Sequence, residues 1–349
     1  MERFAIIASF LIASAAHAAP LKKKDLSLER VRELQQHQRE AHRVVKPKAP
    51  PEDAPARPFS EVEKAGYLFF SADNNFDSRH VKETMAANLP DGVTLVIFAD
   101  QWQDKTEILE RYRGVVDLAR VKVIEIPGAR SGFWTRDGFP IPVWNKTDGM
   151  DLVNARYYHG FEPDRDIAGK FGARLRDHAY YFEGGNFMVN DLGDCLTIDN
   201  DLSSDIPIEV FMDTYGCART IRLTHLKGIG HADESVRFLK SKVVVTDTPD
   251  YVGELEHSGF EVLELPRPSH PYETYVNSLL VNDTVFVPVF NEPSDEQALD
   301  VYRGQGLNVV PVETIELANE GLGSIHCITM TYPNVPFATL LRQLGAREL

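Results

Sequence analysis

An α/β fold is what this sequence predicts, on two observations. Short apolar runs rich in Val, Ile and Phe recur along the chain, and segments with helical spacing lie between several of them. Strands alternating with helices over nearly the whole length build α/β domains. No self-similar repeat is visible along the chain.

Taken in order, Met1 to Pro20 reads as a secretory signal. Arg3 supplies the charged start, Phe4 to Ala15 the apolar run, and Ala16-His17-Ala18 the small-x-small cleavage pattern. That run is too short to span a bilayer comfortably, and no later segment is long and apolar enough to do so. The expectation is a signal peptide at 1–18 and a mature protein that is secreted or periplasmic, without stable membrane insertion. Leu21 to Val45 is charged and reads as a helix. Lys46 to Pro58, with its prolines and alanines, reads as an extended linker. Residues 19–60 are therefore expected to form an arm, and 61–349 the folded domain.

Within that domain, Gly66 to Ala72, Val93 to Ala99 and Val121 to Ile126 read as strands. Helices are expected between them at Ser78 to Asn88 and Thr106 to Arg113. Further strands are expected at Leu196 to Ile198, Val243 to Thr246, Val262 to Leu265, Ser278 to Val281, Thr284 to Val289 and Val309 to Val312. Asp233 to Leu239 and Glu296 to Gln305 read as helices.

The net charge is −15 with His neutral. Such a chain is a poor partner for nucleic acid, and its field attracts cations. Acidity that merely keeps an exported protein soluble is the plainer account of the same number. The cysteines are Cys195, Cys217 and Cys327, an odd set that leaves at least one thiol unpaired in an oxidising compartment. Cys195 and Cys217 either pair or stay as buried, inert thiols, and we read them as the latter.

Four islands of unusual composition carry the candidate chemistry. Trp134-Thr135-Arg136-Asp137-Gly138-Phe139-Pro140 packs aromatic, charged and glycine residues as binding loops do; a surface turn with an Asp cap is the plainer alternative. Phe182-Glu183-Gly184-Gly185-Asn186-Phe187 sets a carboxylate before paired glycines. It fits a half-buried Glu beside a close backbone approach, or an ordinary hairpin turn. In Gly228-Ile229-Gly230-His231-Ala232-Asp233-Glu234, an extended backbone places His231 and Asp233 on one face. That pairing can serve proton transfer or metal binding, and taken alone a hydrogen-bonded core histidine is the plainer account of it. Gly321 to Met330 contains two glycines that permit a tight turn, and it delivers Cys327 to a fixed place. Upstream, Asn277 opens an apolar run and is placed to hydrogen-bond into a site.

The inventory is one cysteine, one histidine and three acidic residues. Acyl transfer develops negative charge, which carboxylates oppose. A planar guanidinium, by contrast, matches a carboxylate in a bidentate fork. The set points to attack by sulfur on a guanidinium carbon.

Trp-x-Arg-Asp-Gly at 134–138, Glu-Gly-Gly-Asn at 183–186, Gly-His-Ala-Asp-Glu at 230–234, Tyr-Val-Asn-Ser at 275–278 and Gly-Ser-Ile-His-Cys at 323–327 occur in that order. The set resembles the guanidino-group-modifying superfamily, in its agmatine deiminase and bacterial peptidylarginine deiminase branch, over roughly residues 60 to 340. The resemblance implies a pentein fold, a pseudo-fivefold α/β propeller of ββαβ units. It implies Cys327 as nucleophile in thiolate form. Asp137 and Asp233 would clamp the guanidinium nitrogens, and Trp134 would lie beside the substrate. His231 would act as acid and then base, Glu183 would hold His231, and Asn277 would hydrogen-bond near the nucleophile or substrate.

The implied reaction converts arginine in peptides or proteins to citrulline plus ammonia, through a covalent thiouronium, with no metal or organic cofactor. Agmatine, giving N-carbamoylputrescine, is the alternative substrate. Export favours peptide arginine over a cytosolic polyamine precursor. Arg156 matches, in approximate position, arginines that bind a substrate carboxylate in related peptidylarginine deiminases. Three rivals remain: an amidinotransferase with an amine acceptor, a zinc hydrolase using His231, Asp233 and cysteine ligands, and an exported binding module that keeps the pentein shape. No second His or Cys cluster has a familiar zinc spacing.

Overall fold

The computed structural model describes Gln36 and residues 54–126, 132–147, 149–154 and 175–349. The expected signal peptide, nearly all of the arm, and Arg156 lie outside the described residues. No helix among the described residues is long and apolar enough to cross a membrane.

Mixed α/β structure is what the chain adopts. The described strands form five small sheets. In the first, Ile141–Trp144 pairs antiparallel with Met150–Val153, which pairs parallel with Leu175–Arg176; Arg57–Pro58 adds an edge. The edge strand falls inside the stretch read as linker. In the second, Met188–Val189 and Asp194–Asp199 make a hairpin, and Arg219–Thr224 lies parallel to its second strand. The third repeats this with Val236–Lys240, Val243–Thr246 and Glu261–Glu264, and the fourth with Leu279–Val281, Thr284–Val289 and Asn308–Glu313. Parallel neighbours need a crossover. The helices Val252–His257 and Asp295–Gly304 provide it in the third and fourth sheets.

The fifth sheet is assembled from both ends of the domain. Thr329–Pro333 pairs antiparallel with Ala65–Ser71, followed by Thr94–Ala99 and Val121–Glu125 in parallel and Arg347–Glu348 at the far edge. Every residue of Ala65–Ser71 is buried, as befits a strand covered on both faces. Helices Ser78–Ala87 and Lys105–Tyr112 make the crossovers, and the Asp104 carboxylate accepts from the backbone N–H groups of Thr106 and Glu107 as an N-cap.

Two expectations are corrected. Asp233 to Leu239 is not a helix: a 3₁₀ turn at Ala232–Glu234 leads into the strand Val236–Lys240. Val236 and Phe238 point into one apolar cluster while Arg237 between them is aimed elsewhere. That is a period of two, masked by the acidic pair Asp233-Glu234, which imitates a helix start. Cys195 and Cys217 are not thiols but a disulfide. Gly216 turns with φ 80°, and the two Cα atoms come within 5.8 Å, inside the range a disulfide spans. Counting cysteines carries no such geometry.

Lys82 is fully buried in this scaffold. Its ammonium donates to Ser71 O at 2.9 Å and to Asp73 O, and lies 5.0 Å from the Phe133 ring centroid. Burial pushes its pKa down to about 7. The folded state therefore disfavours the charged form, so Lys82 makes stability rise with pH from about 7 towards its ordinary 10.5. Lys82→Met is expected to remove that slope. Melting temperatures at pH 7 and pH 10 check it; a slope unchanged in the variant would contradict the assignment.

Candidate active site

Each of the five motifs sits immediately before the first strand of one antiparallel pair. Trp134–Gly138 precedes Ile141–Trp144, Glu183–Asn186 precedes Met188–Val189, and His231–Glu234 precedes Val236–Lys240. Asn277 precedes Leu279–Val281, and Cys327 precedes Thr329–Pro333. The residues Asp137, Glu183, His231, Asn277 and Cys327 are accordingly separated by 46, 48, 46 and 50 residues. Repetition of the structural unit, not of the sequence, delivers one candidate side chain per sheet.

These side chains meet in the interior. Asp137, His231, Asp233 and Cys327 are all fully buried, with Asn277 and Trp134 nearly so. Gly185 marks the point of convergence. A Cβ there would lie 2.6 Å from Asp137 Oδ1, 2.7 Å from His231 Nδ1 and 3.2 Å from Asp233 Oδ2, so only glycine leaves the space they share. The Gly185 N–H donates to Asp137 Oδ1 at 3.1 Å. His231 Nδ1 is 3.6 Å from the same carboxylate oxygen, while its Nε2 donates to Glu183 Oε2 at 2.5 Å. A carboxylate only accepts, so this contact fixes the proton on Nε2 and turns Nδ1 towards Asp137.

Cys327 is held from two sides. Asn277 Nδ2 donates to its sulfur at 3.3 Å and to Asp233 O at 3.2 Å, tying the third and fifth motifs together. Asp233 Oδ2 lies 3.6 Å from the sulfur. The Arg136 N–H donates to Cys327 O at 3.0 Å. Behind the thiol stands Trp134, stacked on Phe76. A Cβ on Gly323 would meet the Trp134 ring at 2.6 Å, so this glycine serves close approach. The left-handed φ of the loop falls on Leu322, at 58°, and not on the flanking glycines from which the tight turn was expected.

A second layer lies beneath. His326 Nδ1 donates to Asp233 Oδ2 at 2.7 Å and Nε2 to Glu61 Oε1 at 3.0 Å. Glu61 also pairs with Arg136, and with Arg237 Nη1 at 2.6 Å. Burial drives the Glu61 carboxyl up, and the Arg136, His326 and Arg237 charges overcome that, holding it well below the usual carboxylate range. Sequence reasoning assigned no role to these four. His326 and Arg136 lay inside quoted motifs, beside Cys327 and Asp137, and that adjacency was the available signal. Arg237 was hidden in a misread helix, and Glu61 served only as a domain boundary.

Three carboxylates facing one thiol and one imidazole suit a planar cation presented to sulfur. Among the described residues, no group of three or more His, Cys, Asp and Glu side chains is arranged to hold a metal ion. Trp134 lies beside Cys327, and Arg156 is outside the described residues.

Known proteins resemble this chain over the same region. The family model for Porphyromonas-type peptidyl-arginine deiminase matches residues 72–333. A protein of Latilactobacillus sakei assigned by name to agmatine deiminase is 31% identical over 291 residues, covering 61% of this chain and 78% of the relative. The agmatine deiminase of Pseudomonas fluorescens is 23% identical over 329 residues, covering 73% and 86%. The solved structure of C. jejuni agmatine deiminase shares the fold, with a TM-score of 0.64 at 18% identity, covering 79% of this chain and 95% of that one. The chain belongs to the Porphyromonas-type peptidyl-arginine deiminase family, whose members are hydrolases of amidine C–N bonds.

Proposed function

We propose that this protein deiminates arginine in peptides or proteins, releasing citrulline and ammonia. The observation that carries the chemistry is the convergence of Asp137, His231 and Asp233 around Gly185, with Asp233 3.6 Å from the Cys327 sulfur. Asp137 and Asp233 hold the guanidinium nitrogens and place its carbon against sulfur. The Cys327 thiolate attacks that carbon and a C–S bond forms. His231 gives a proton to the departing nitrogen, the C–N bond breaks, and ammonia leaves a thiouronium. His231 then takes a proton from water, whose oxygen attacks the same carbon; the C–S bond breaks and the ureido product leaves. Glu183 keeps His231 in the orientation this needs. The five sheets, each built on the same strand order, support a pseudo-fivefold propeller that the pairing of Thr329–Pro333 with Ala65–Ser71 would close.

Peptide arginine is favoured by the matching family model and by the secretory signal read in Met1 to Pro20, which would take the protein out of the cytoplasm. Agmatine is the second reading, favoured by the curated relatives named for that activity. The test is ureido-product formation by the purified protein on agmatine, free arginine, a peptide ending in arginine and one with internal arginine. Turnover of either peptide above agmatine is expected. Turnover of agmatine alone would keep the chemistry and overturn the substrate. Arg156→Ala, assayed on the same panel, is expected to hurt the peptide ending in arginine selectively; an equal effect on all four would dismiss Arg156 as a carboxylate binder.

A further inference from the structure

We propose that His326, anchored by Glu61, is a positioning residue that sets the orientation of Asp233. This rests on the reading of Asp233 as a guanidinium clamp. Asp233 reaches the site from a short 3₁₀ turn, where nothing about the turn itself fixes the rotation of a carboxylate. The imidazole does so: Nδ1 holds Oδ2 at 2.7 Å, and that same oxygen faces the Cys327 sulfur at 3.6 Å. Both ring nitrogens meet carboxylate oxygens, so the ring bridges Asp233 and Glu61. Asp233 and Glu61 fix the ring, while the His326 backbone N–H, donating to Asn277 O at 3.3 Å and to the side-chain Asn277 Oδ1 at 3.2 Å, holds the main chain beneath it.

The anchor is built to resist movement. Glu61 is pinned by Arg136 and Arg237, and Arg237 is itself fully buried and donates from Nε to Val276 O at 3.2 Å. Arg136 comes from the loop that carries Asp137, and Val276 adjoins Asn277. One carboxylate therefore ties together the loops of Asp137, Asn277 and Cys327, and through His326 the loop of Asp233. An error of about 1 Å in such a site costs roughly a hundredfold in rate, so a rigid second layer has a direct catalytic consequence.

Three variants separate this role from mere packing. The Asn side chain presents an amide nitrogen near the position of Nδ1, and so still donates to Asp233. Gln extends past it towards Glu61, and Leu does neither. His326→Leu and His326→Gln are expected to lower kcat/KM about a hundredfold, mainly through kcat, while His326→Asn stays within about tenfold of wild type. Equal effects of all three, or effects of only a few-fold, would overturn the proposal. Crystal structures give a readout independent of turnover: in His326→Leu the Asp233 carboxylate should rotate off its 3.6 Å approach to Cys327, and in His326→Asn it should not. A carboxylate unmoved in His326→Leu sinks the proposal whatever the kinetics. A moved carboxylate in a protein that turns over no guanidinium compound overturns the functional reading and leaves the positioning role standing.

Discussion

Cys327→Ala abolishes ureido-product formation, by roughly ten-thousandfold or more, the scale at which losing a nucleophile collapses covalent catalysis. The fold is expected to survive. The substitution removes one sulfur atom, and the contacts that hold the loop, Arg136 N–H to Cys327 O and His326 N–H to Asn277, are made by backbone groups. Far-ultraviolet circular dichroism and the melting temperature should stay close to wild type while product formation vanishes. A variant that still makes product at the parental rate would remove Cys327 from the mechanism, whatever its place in the site.

The second large effect is at Asp137. Its carboxylate accepts from the Gly185 N–H and faces His231, and it is fully buried. Asp137→Asn keeps the volume and one acceptor oxygen but deletes the charge that would balance the cation of the proposed substrate. Removing one partner of a buried charge pair costs about 2–5 kcal/mol, so kcat/KM should fall by at least roughly thirtyfold. The loss should be large for every guanidinium substrate, because the proposed contact is to the group that reacts. An unchanged kcat/KM would reduce Asp137 to a structural acceptor for the Gly185 N–H.

Much of the candidate site was legible in the sequence, and the reason is physical. Gly185 and Gly323 are required where backbone passes against side chains, and Gly184 where it passes against the Arg136 carbonyl, so they mark the loops that close on the centre. Apolar runs such as Thr284–Val289 and Thr94–Ala99 are strands almost to the residue. Arg219–Thr224 was missed because its alternation of Arg and Thr with Ile and Leu carries little apolar signal, although it adds the parallel strand of its sheet. The structural repeat was invisible for a related reason. Each unit needs only a hairpin, a crossover and a parallel strand, and many sequences satisfy that without resembling one another. Glu61 left no mark at all, since its importance comes from Arg136, Arg237 and His326, which converge on it from distant parts of the chain.

In the proposed mechanism, buried carboxylates present a planar cation to the Cys327 sulfur. Alkylation by chloroacetamidine tests it most directly, compared with the neutral chloroacetamide. The two share a leaving group and nearly a shape, and differ in the charge that Asp137 and Asp233 would recognise. Each rate is divided by that of the same reagent with a free thiol in solution. The amidine should modify Cys327 with saturable kinetics and at least about a hundredfold relative preference, the span expected for a desolvated charge pair. Equal relative rates for the two reagents, or modification that does not saturate, would contradict a cation-binding site at this cysteine.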